Sequence, residues 1–302
     1  MPSARTLIGL NLCLALGVVL PAQGQAPYAP ATEPQRPAGP PAVSVAPAAP
    51  AGFKLDAIAQ AHLDQVLDAW EKQSGQINTF QCPFERLVYD PVFGPGQETP
   101  NTVDDGRLSY QQPDKGSFEI QKVRRWDPTQ KTHVEDSVAI GEHWVCDGKS
   151  IYEYKTQQKQ LVERPIPPEM QGKSIVDGPL PFLFGAEAAK LKARYWLRID
   201  PRSPENQIRL HAMPRFQRDA ANYRAVELML DRQKMLPVAM QVHMPDGSRT
   251  VYTFKLADAS VNSRVTQIWN SLFQSPRTPY GWTRIVDQQP AAQAAQPQTA
   301  PR

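Results

Sequence analysis

From Ile77 to Leu256, apolar and aromatic residues recur at every second position in one short segment after another. Turn sequences such as DPTQK and DGK separate these segments. An alternation with a period of two is typical of antiparallel strands that bury one face. About a dozen strands are predicted in this way. That number is more than a flat open sheet accommodates, so we expect a strongly curved sheet or an open barrel.

Two segments are predicted to be helical. In the first, from Leu55 to Trp70, apolar residues recur three and four positions apart, which predicts one amphipathic helix that ends near Gly75. The second, AEAAKLK at 186–192, consists of good helix formers. The apolar positions of the first helix are Leu55, Ile58, Leu63, Val66, Leu67 and Trp70.

A proline-rich segment separates two series of strands. Pro165, Pro167 and Pro168 exclude a regular strand at its start. The run GPLPFLFG at 178–185 then places large apolar residues between glycines and prolines. An apolar cluster in an irregular segment must be buried against another surface, and we expect the concave face of the curved sheet to supply it. The cluster consists of Leu180, Phe182, Leu183 and Phe184.

Both ends of the chain differ in composition from the part between them. Residues 1–26 predict an export signal with Arg5 at its start, an apolar run to Leu20 and cleavage after Ala26. A transmembrane anchor is the alternative interpretation. Residues 27–52 and 288–302 are rich in proline and alanine, which predicts a disordered linker and a disordered tail. The folded domain is therefore predicted at 53–287.

Charge and cysteine content narrow the possible functions. The formal charge is +3, from 33 basic and 30 acidic residues, and no basic block is present, so a nucleic-acid partner is not expected. Two cysteines would remain after cleavage, Cys82 and Cys146. Export implies an oxidising compartment, in which these two could form a disulfide or stay as two buried thiols.

Sequence motifs for catalysis or for a cofactor are not found. The chain contains no HExxH, GxSxG or paired CxxC motif and no glycine-rich phosphate loop. His143 and Cys146 are close in sequence, but in a strand they would point to opposite faces and could not converge on one substrate. HVED at 133–136 could bind a metal only with further ligands that the sequence does not identify. We therefore predict a protein without catalytic residues, metal site or cofactor.

The order of the segments resembles LolA-like domains, the fold of bacterial carriers that take lipoproteins across the periplasm. The resemblance covers about 55–285 and is carried by the helix, GRLSYQQP, CDGKSIYEY, the apolar insert and the second strand series. DGPLPFLFG, DGRLSY and PYGW are similar to an exported planctomycete domain family of unknown function. The resemblance implies an α+β, mainly antiparallel, half-open barrel of 11–12 strands, with helices covering its concave face. Where the carriers have an Arg-Pro pair, this chain has Gln112 and Pro113, which departs from the pattern for lipoprotein hand-off.

The resemblance also implies an apolar cavity that takes acyl chains. The predicted function is a non-catalytic carrier or sensor, exported to the periplasm or cell envelope, that binds a lipid or a lipoprotein's acyl chains. The alternative is an interaction module with a packed interior that binds an envelope protein through a strand edge. No stable transmembrane segment is expected after cleavage. The predicted cavity residues are Leu108, Tyr110, Phe118, Ile120, Trp144, Tyr152, Tyr154, Leu180, Phe182, Phe184, Met240 and Val242.

Overall fold

The computed structural model describes residues 48–139, 141–172, 187–263, 269 and 272–287. Helix α1 (Ala57–Ser74) begins after Asp56, whose side chain accepts a hydrogen bond from the Ala59 amide, and ends at Gly75. The short helices α2 (Ala188–Arg194) and α3 (Gln217–Ala220) follow later in the chain. Among the described residues, no helix has the length and the apolar character needed to span a membrane.

The strands of the described residues form one sheet. Its order is β14-β7-β6-β5-β3-β2-β1-β12-β11-β10-β9-β8, with β4 paired to β3 and β13 paired to β1. Every pairing is antiparallel except that of β14 with β7. The strands are β1 (Thr79–Tyr89), β2 (Thr102–Gln111), β3 (Lys115–Asp127), β4 (Thr132–Glu135), β5 (His143–Asp147), β6 (Ser150–Lys155), β7 (Gln160–Pro165), β8 (Tyr195–Ile199), β9 (Gln207–Pro214), β10 (Ala225–Asp231), β11 (Pro237–His243), β12 (Arg249–Phe254), β13 (Ser260–Val261) and β14 (Thr283–Val286).

The sheet is strongly curved. The rings of Phe118 on β3 and Tyr252 on β12 lie 6.3 Å apart, although β2 and β1 run between their strands. Neighbouring strands are spaced by about 4.8 Å, so three steps along a flat sheet would separate the strands by about 14 Å. Their side chains meet because they point into the curve. We call the face that carries Phe118 the inner face and the opposite face the outer face.

The inner face carries the main hydrophobic core. Leu67 and Trp70 of α1 are almost fully buried in it, together with Phe80 of β1 and Tyr195 of β8. Helix α1 also contacts α2 and β8, and it therefore closes this part of the inner face. Ile58, which the helical period assigns to the apolar side, is instead 84% exposed because it lies in the first turn, before the buried positions begin at Leu63.

One glycine on β2 allows the inner face to close tightly. Gly106 is paired with Phe84 of β1, and a Cβ atom added at Gly106 would lie 2.4 Å from Cζ of that ring. It would also lie 2.7 Å from the Glu119 carbonyl oxygen. Any larger residue at position 106 would therefore displace the ring that begins the aromatic band described below.

The predicted fold class is confirmed. The described strands are mainly antiparallel, and they form an open sheet with helices on one side of it. The described residues form fourteen strands where 11–12 were expected, partly because the short strands β4 and β13 were not predicted. The predicted signal, most of the linker and the tail lie outside the described residues, so the domain limits remain a prediction.

Candidate functional site

A band of aromatic rings crosses the inner face beside the part that α1 closes. Phe84 stacks on Phe118 with ring centroids 4.9 Å apart, and Phe118 stacks on Trp144 at 5.8 Å. Tyr252 meets the edges of Phe84 and Phe118 at 5.9 and 6.3 Å. Phe84 and Phe118 are buried, whereas Trp144 and Tyr252 are only half-buried. The band therefore ends in two large rings that are only partly buried.

An ion-pair cluster lies next to this band, also on the inner face. Register places Arg86 between Tyr252 and Asp104 on adjacent strands. Nε and Nη2 of Arg86 contact Oδ2 of Asp104 at 2.9 and 2.8 Å, and Nη1 contacts Oε2 of Glu142 at 2.8 Å. The side chain of Asp104 is 1% exposed, that of Arg86 is 16% exposed and that of Glu142 is 41% exposed. The cluster therefore reaches from the surface into the core.

The two oxygens of the Asp104 carboxylate have different surroundings. Oδ2 is bonded to Arg86 and lies 3.5 Å from the Thr102 hydroxyl. Oδ1 is buried and has no hydrogen-bond partner in the described part of the chain. Burial raises the pKa of Asp104, and the Arg86 guanidinium opposes that shift. Burial also raises the pKa of Tyr252. For Arg86, burial alone would lower the pKa, but Tyr252 and the nearby carboxylates outweigh that effect and raise it.

Most of the predicted cavity residues within the described ranges lie on the inner face. They are buried except Trp144, and they belong to the core cluster or pack against it. Leu180, Phe182 and Phe184 lie outside the described residues. The predicted residues on the inner face are Leu108, Tyr110, Phe118, Ile120, Trp144, Met240 and Val242.

Tyr152 and Tyr154 lie on the other side of the sheet. In the β5–β6 hairpin Trp144 pairs with Glu153, and Val145 pairs with Tyr152. Paired residues share a face and neighbours in one strand alternate, so Tyr152 and Tyr154 are on the outer face. The expectation that they share a side with Trp144 is wrong. The reason is the two-residue turn between Asp147 and Ser150, which fixes the pairing.

The two tyrosines contact other parts of their own chain. The Tyr152 hydroxyl donates to Oδ2 of Asp147 at 3.1 Å, and the Arg284 guanidinium lies 5.5 Å from the Tyr152 ring. Tyr154 stacks on His143 at 4.3 Å and meets the edge of Trp282 at 6.1 Å. The segment that contains β14 therefore covers this part of the outer face.

The two cysteines are free and buried. Sγ of Cys82 donates to the Pro83 carbonyl oxygen at 3.2 Å, and Sγ of Cys146 donates to the Asp114 carbonyl oxygen at 3.1 Å, so the two thiols are not bonded to each other. Of the two alternatives, the structure has two separate buried thiols. Burial raises the pKa of both thiols to about 11, so they remain protonated at neutral pH.

Other residues considered for catalysis or metal binding are not brought together. His143 stacks on Tyr154 on the outer face, whereas Sγ of Cys146 donates to the Asp114 carbonyl, so the two point away from each other as predicted. In HVED, Nε2 of His133 is bonded to the Pro100 carbonyl and Asp136 pairs with Arg125. Within the described ranges, no three His, Cys, Asp or Glu side chains are grouped so that they could hold a metal.

Arg86 and Asp104 were missed by sequence reasoning, although a signal was available. Asp104 has the same parity in β2 as Gly106 and Leu108, and Arg86 has the same parity in β1 as Cys82 and Phe84. Charged residues at two such inward positions indicate a buried pair, because an isolated charge in a core is very unfavourable.

Comparison with known proteins finds similar solved structures at low sequence identity. Similar solved structures include a LolA superfamily protein from Nitrosomonas europaea (10% identity, TM-score 0.31), with 72% of this chain and 97% of that chain covered. An uncharacterised conserved protein from Thermus thermophilus has 14% identity and a TM-score of 0.42, with 76% and 99% covered. The lipoprotein LppX of Mycobacterium tuberculosis has 9% identity and a TM-score of 0.35, with 68% and 97% covered.

The similar structures include LolA-like proteins, the class that the sequence was expected to resemble. No family model matches the chain, and no curated protein matches it. At these identities the likeness concerns the fold alone, so the function has to be argued from the residues of this chain.

Proposed function

We propose that this chain is an exported, non-catalytic binding protein that holds the acyl chain of a lipid or of a lipidated partner on its inner face. The observation that carries the proposal is the aromatic band, which ends in the half-buried rings of Trp144 and Tyr252 inside the curve of the sheet. Partly exposed aromatic surface in a concave, mainly apolar setting is typical of small-molecule sites.

The chemistry of the band suits an acyl chain. Each methylene removed from water contributes about 0.8 kcal/mol, so eight methylenes laid along the rings would gain about 6 kcal/mol before the costs of association. Trp144 stacks on Phe118 with 9° between the ring planes, so one face of the indole is covered and the rest of this half-buried ring is left for a ligand. Met240 and Met244, which lie in the core or pack against it, are side chains that adapt to ligands of different shape.

Native mass spectrometry tests this proposal. The full chain would be expressed with its own leader and purified without detergent. We expect a bound mass of lipid size that organic extraction removes. A ligand-free mass, combined with no response to a fluorescent acyl probe added back to the protein, would contradict the proposal.

A second candidate function rests on the edge of the sheet. Ile285 and Val286 of β14 are 37% and 49% exposed, and the other two residues of this edge strand are exposed as well. An exposed apolar edge strand can pair with an extended segment of an envelope protein. A ligand-free mass together with a stable protein complex that Ile285→Lys disrupts would favour this function.

A further inference from the structure

The cluster beside the aromatic band has one acceptor that nothing in the described chain satisfies. Oδ1 of Asp104 is buried and unpartnered, while Oδ2 is held by two nitrogens of Arg86. A buried carboxylate oxygen without a donor is unfavourable because it has lost its hydrogen bonds to water and gained none in return. A group that supplies an O–H or N–H at this point would remove that penalty on binding.

The charge around Oδ1 decides which kind of group fits. Arg86 is the only guanidinium bonded to Asp104 in the described structure, and it is shared with the second carboxylate, Glu142. Arg125, the next positive charge that acts on Asp104, is itself paired with Asp136 at 2.7 Å. Two carboxylates therefore face one guanidinium, and an incoming carboxylate would be repelled.

The position of the cluster connects it to the proposed ligand site. The Arg86 guanidinium lies beside Tyr252, whose ring belongs to the aromatic band. Glu142 is two residues before Trp144 and is 41% exposed, so the cluster reaches solvent close to the half-buried Trp144 ring. A ligand with its chain on the rings would have its polar end at the cluster.

We propose that the Arg86–Asp104–Glu142 cluster selects an uncharged head group that donates an O–H or N–H to Oδ1 of Asp104, and that it discriminates against a free fatty-acid carboxylate. This inference rests on the proposed function, because it assigns the polar end of the same ligand. The chemical class is an acylated amphiphile with a hydroxyl or amide next to the chain.

Equilibrium binding with three matched probes tests the inference. The probes are a fluorescent monoacylglycerol, the primary amide and the free fatty acid with the same chain and fluorophore. At neutral pH we expect the monoacylglycerol or the amide to bind at least tenfold more tightly than the fatty acid. The stronger of these two probes identifies whether the donor is a hydroxyl or an amide.

Two variants test the residues. Asp104→Asn should weaken the binding of the two neutral probes about tenfold. It should also reduce the ratio of their affinity to that of the fatty acid. Glu142→Gln lies at an exposed position and should not disturb folding. It should strengthen the binding of the fatty acid several-fold. Thermal unfolding of each variant checks that the fold is retained.

The outcomes separate the inference from the function on which it rests. Equal or tighter binding of the fatty acid to the unmodified protein would overturn the inference but leave the binding function intact. Unchanged selectivity in both folded variants would also overturn it. Binding of none of the three probes would overturn the proposed function itself, and the inference with it.

Discussion

Replacing Arg86 with methionine is expected to lower the free energy of unfolding by about 3–5 kcal/mol, because it leaves a buried carboxylate without its partner. Asp104 is 1% exposed, and Arg86 supplies both of the short contacts to its Oδ2 atom. Methionine retains much of the apolar stem and so removes mainly the charge. Urea unfolding at neutral pH measures the loss, with an unchanged slope as the check that the unfolding transition is the same.

The outer face of the sheet offers a matched control. Arg124 pairs with Asp105 at 2.9 Å and with Glu85 at 3.4 Å, but its side chain is 30% exposed. Arg124→Met should therefore lower the stability by at most about 1 kcal/mol. In the double variant Arg86→Met with Asp104→Leu, part of the loss should be recovered because the unpaired charge is gone. Similar losses of unfolding free energy in the two single arginine variants would show that burial does not make the Arg86–Asp104 pair more important for stability than the exposed pair.

Replacing Trp144 with alanine is expected to weaken the binding of an acylated probe about thirtyfold, which corresponds to about 2 kcal/mol. Trp144 stacks on Phe118, and its ring is only half-buried, so it is the largest apolar surface that the aromatic band offers to a ligand. Trp144→Phe should retain most of the affinity because a flat ring remains. Titration with the fluorescent monoacylglycerol measures both variants.

Trp196 is the control for this prediction. It is also half-buried on a strand, but Arg215 covers its ring at 3.9 Å, and its neighbours Tyr195 and Leu197 are the ones that face the core. Trp196→Ala should leave the affinity unchanged, as should Tyr154→Ala on the outer face. A loss of affinity in all three alanine variants would point to general unfolding. A loss only in Tyr154→Ala would place the ligand on the outer face and contradict binding on the inner face.

Alternation in the sequence predicted the strands well because a sheet with one buried face enforces that pattern. The strands β1 to β3, β5 to β12 and β14 all follow segments in which it is visible. Alternation did not show which residues of two neighbouring strands lie on the same face of the sheet. For β5 and β6 the phase was recoverable, since a two-residue turn pairs residues at equal distances from it, and Trp144 therefore lies opposite Glu153 and not opposite a tyrosine.

The charged cluster was only partly predictable. The inward parity of Arg86 and of Asp104 is visible in their strands, and it indicates that both side chains point into the core. Their contact depends on the register of β1 with β2, which their long connection does not fix. Glu142 joins from the residue before β5, where no alternation precedes it. Contacts made by such connecting residues follow from the folded geometry alone.

Photo-crosslinking tests whether an acyl chain binds on the inner face. The probe is a monoacylglycerol that carries a diazirine in its chain. After irradiation of the full chain and digestion with trypsin, Lys149 separates Trp144 from Tyr152, so the adduct mass distinguishes the two faces. Binding on the inner face should give adducts on the peptides that contain Phe118, Trp144 and Tyr252. Adducts confined to the peptide that contains Tyr152 and Tyr154, or no saturable adduct at all, would contradict it.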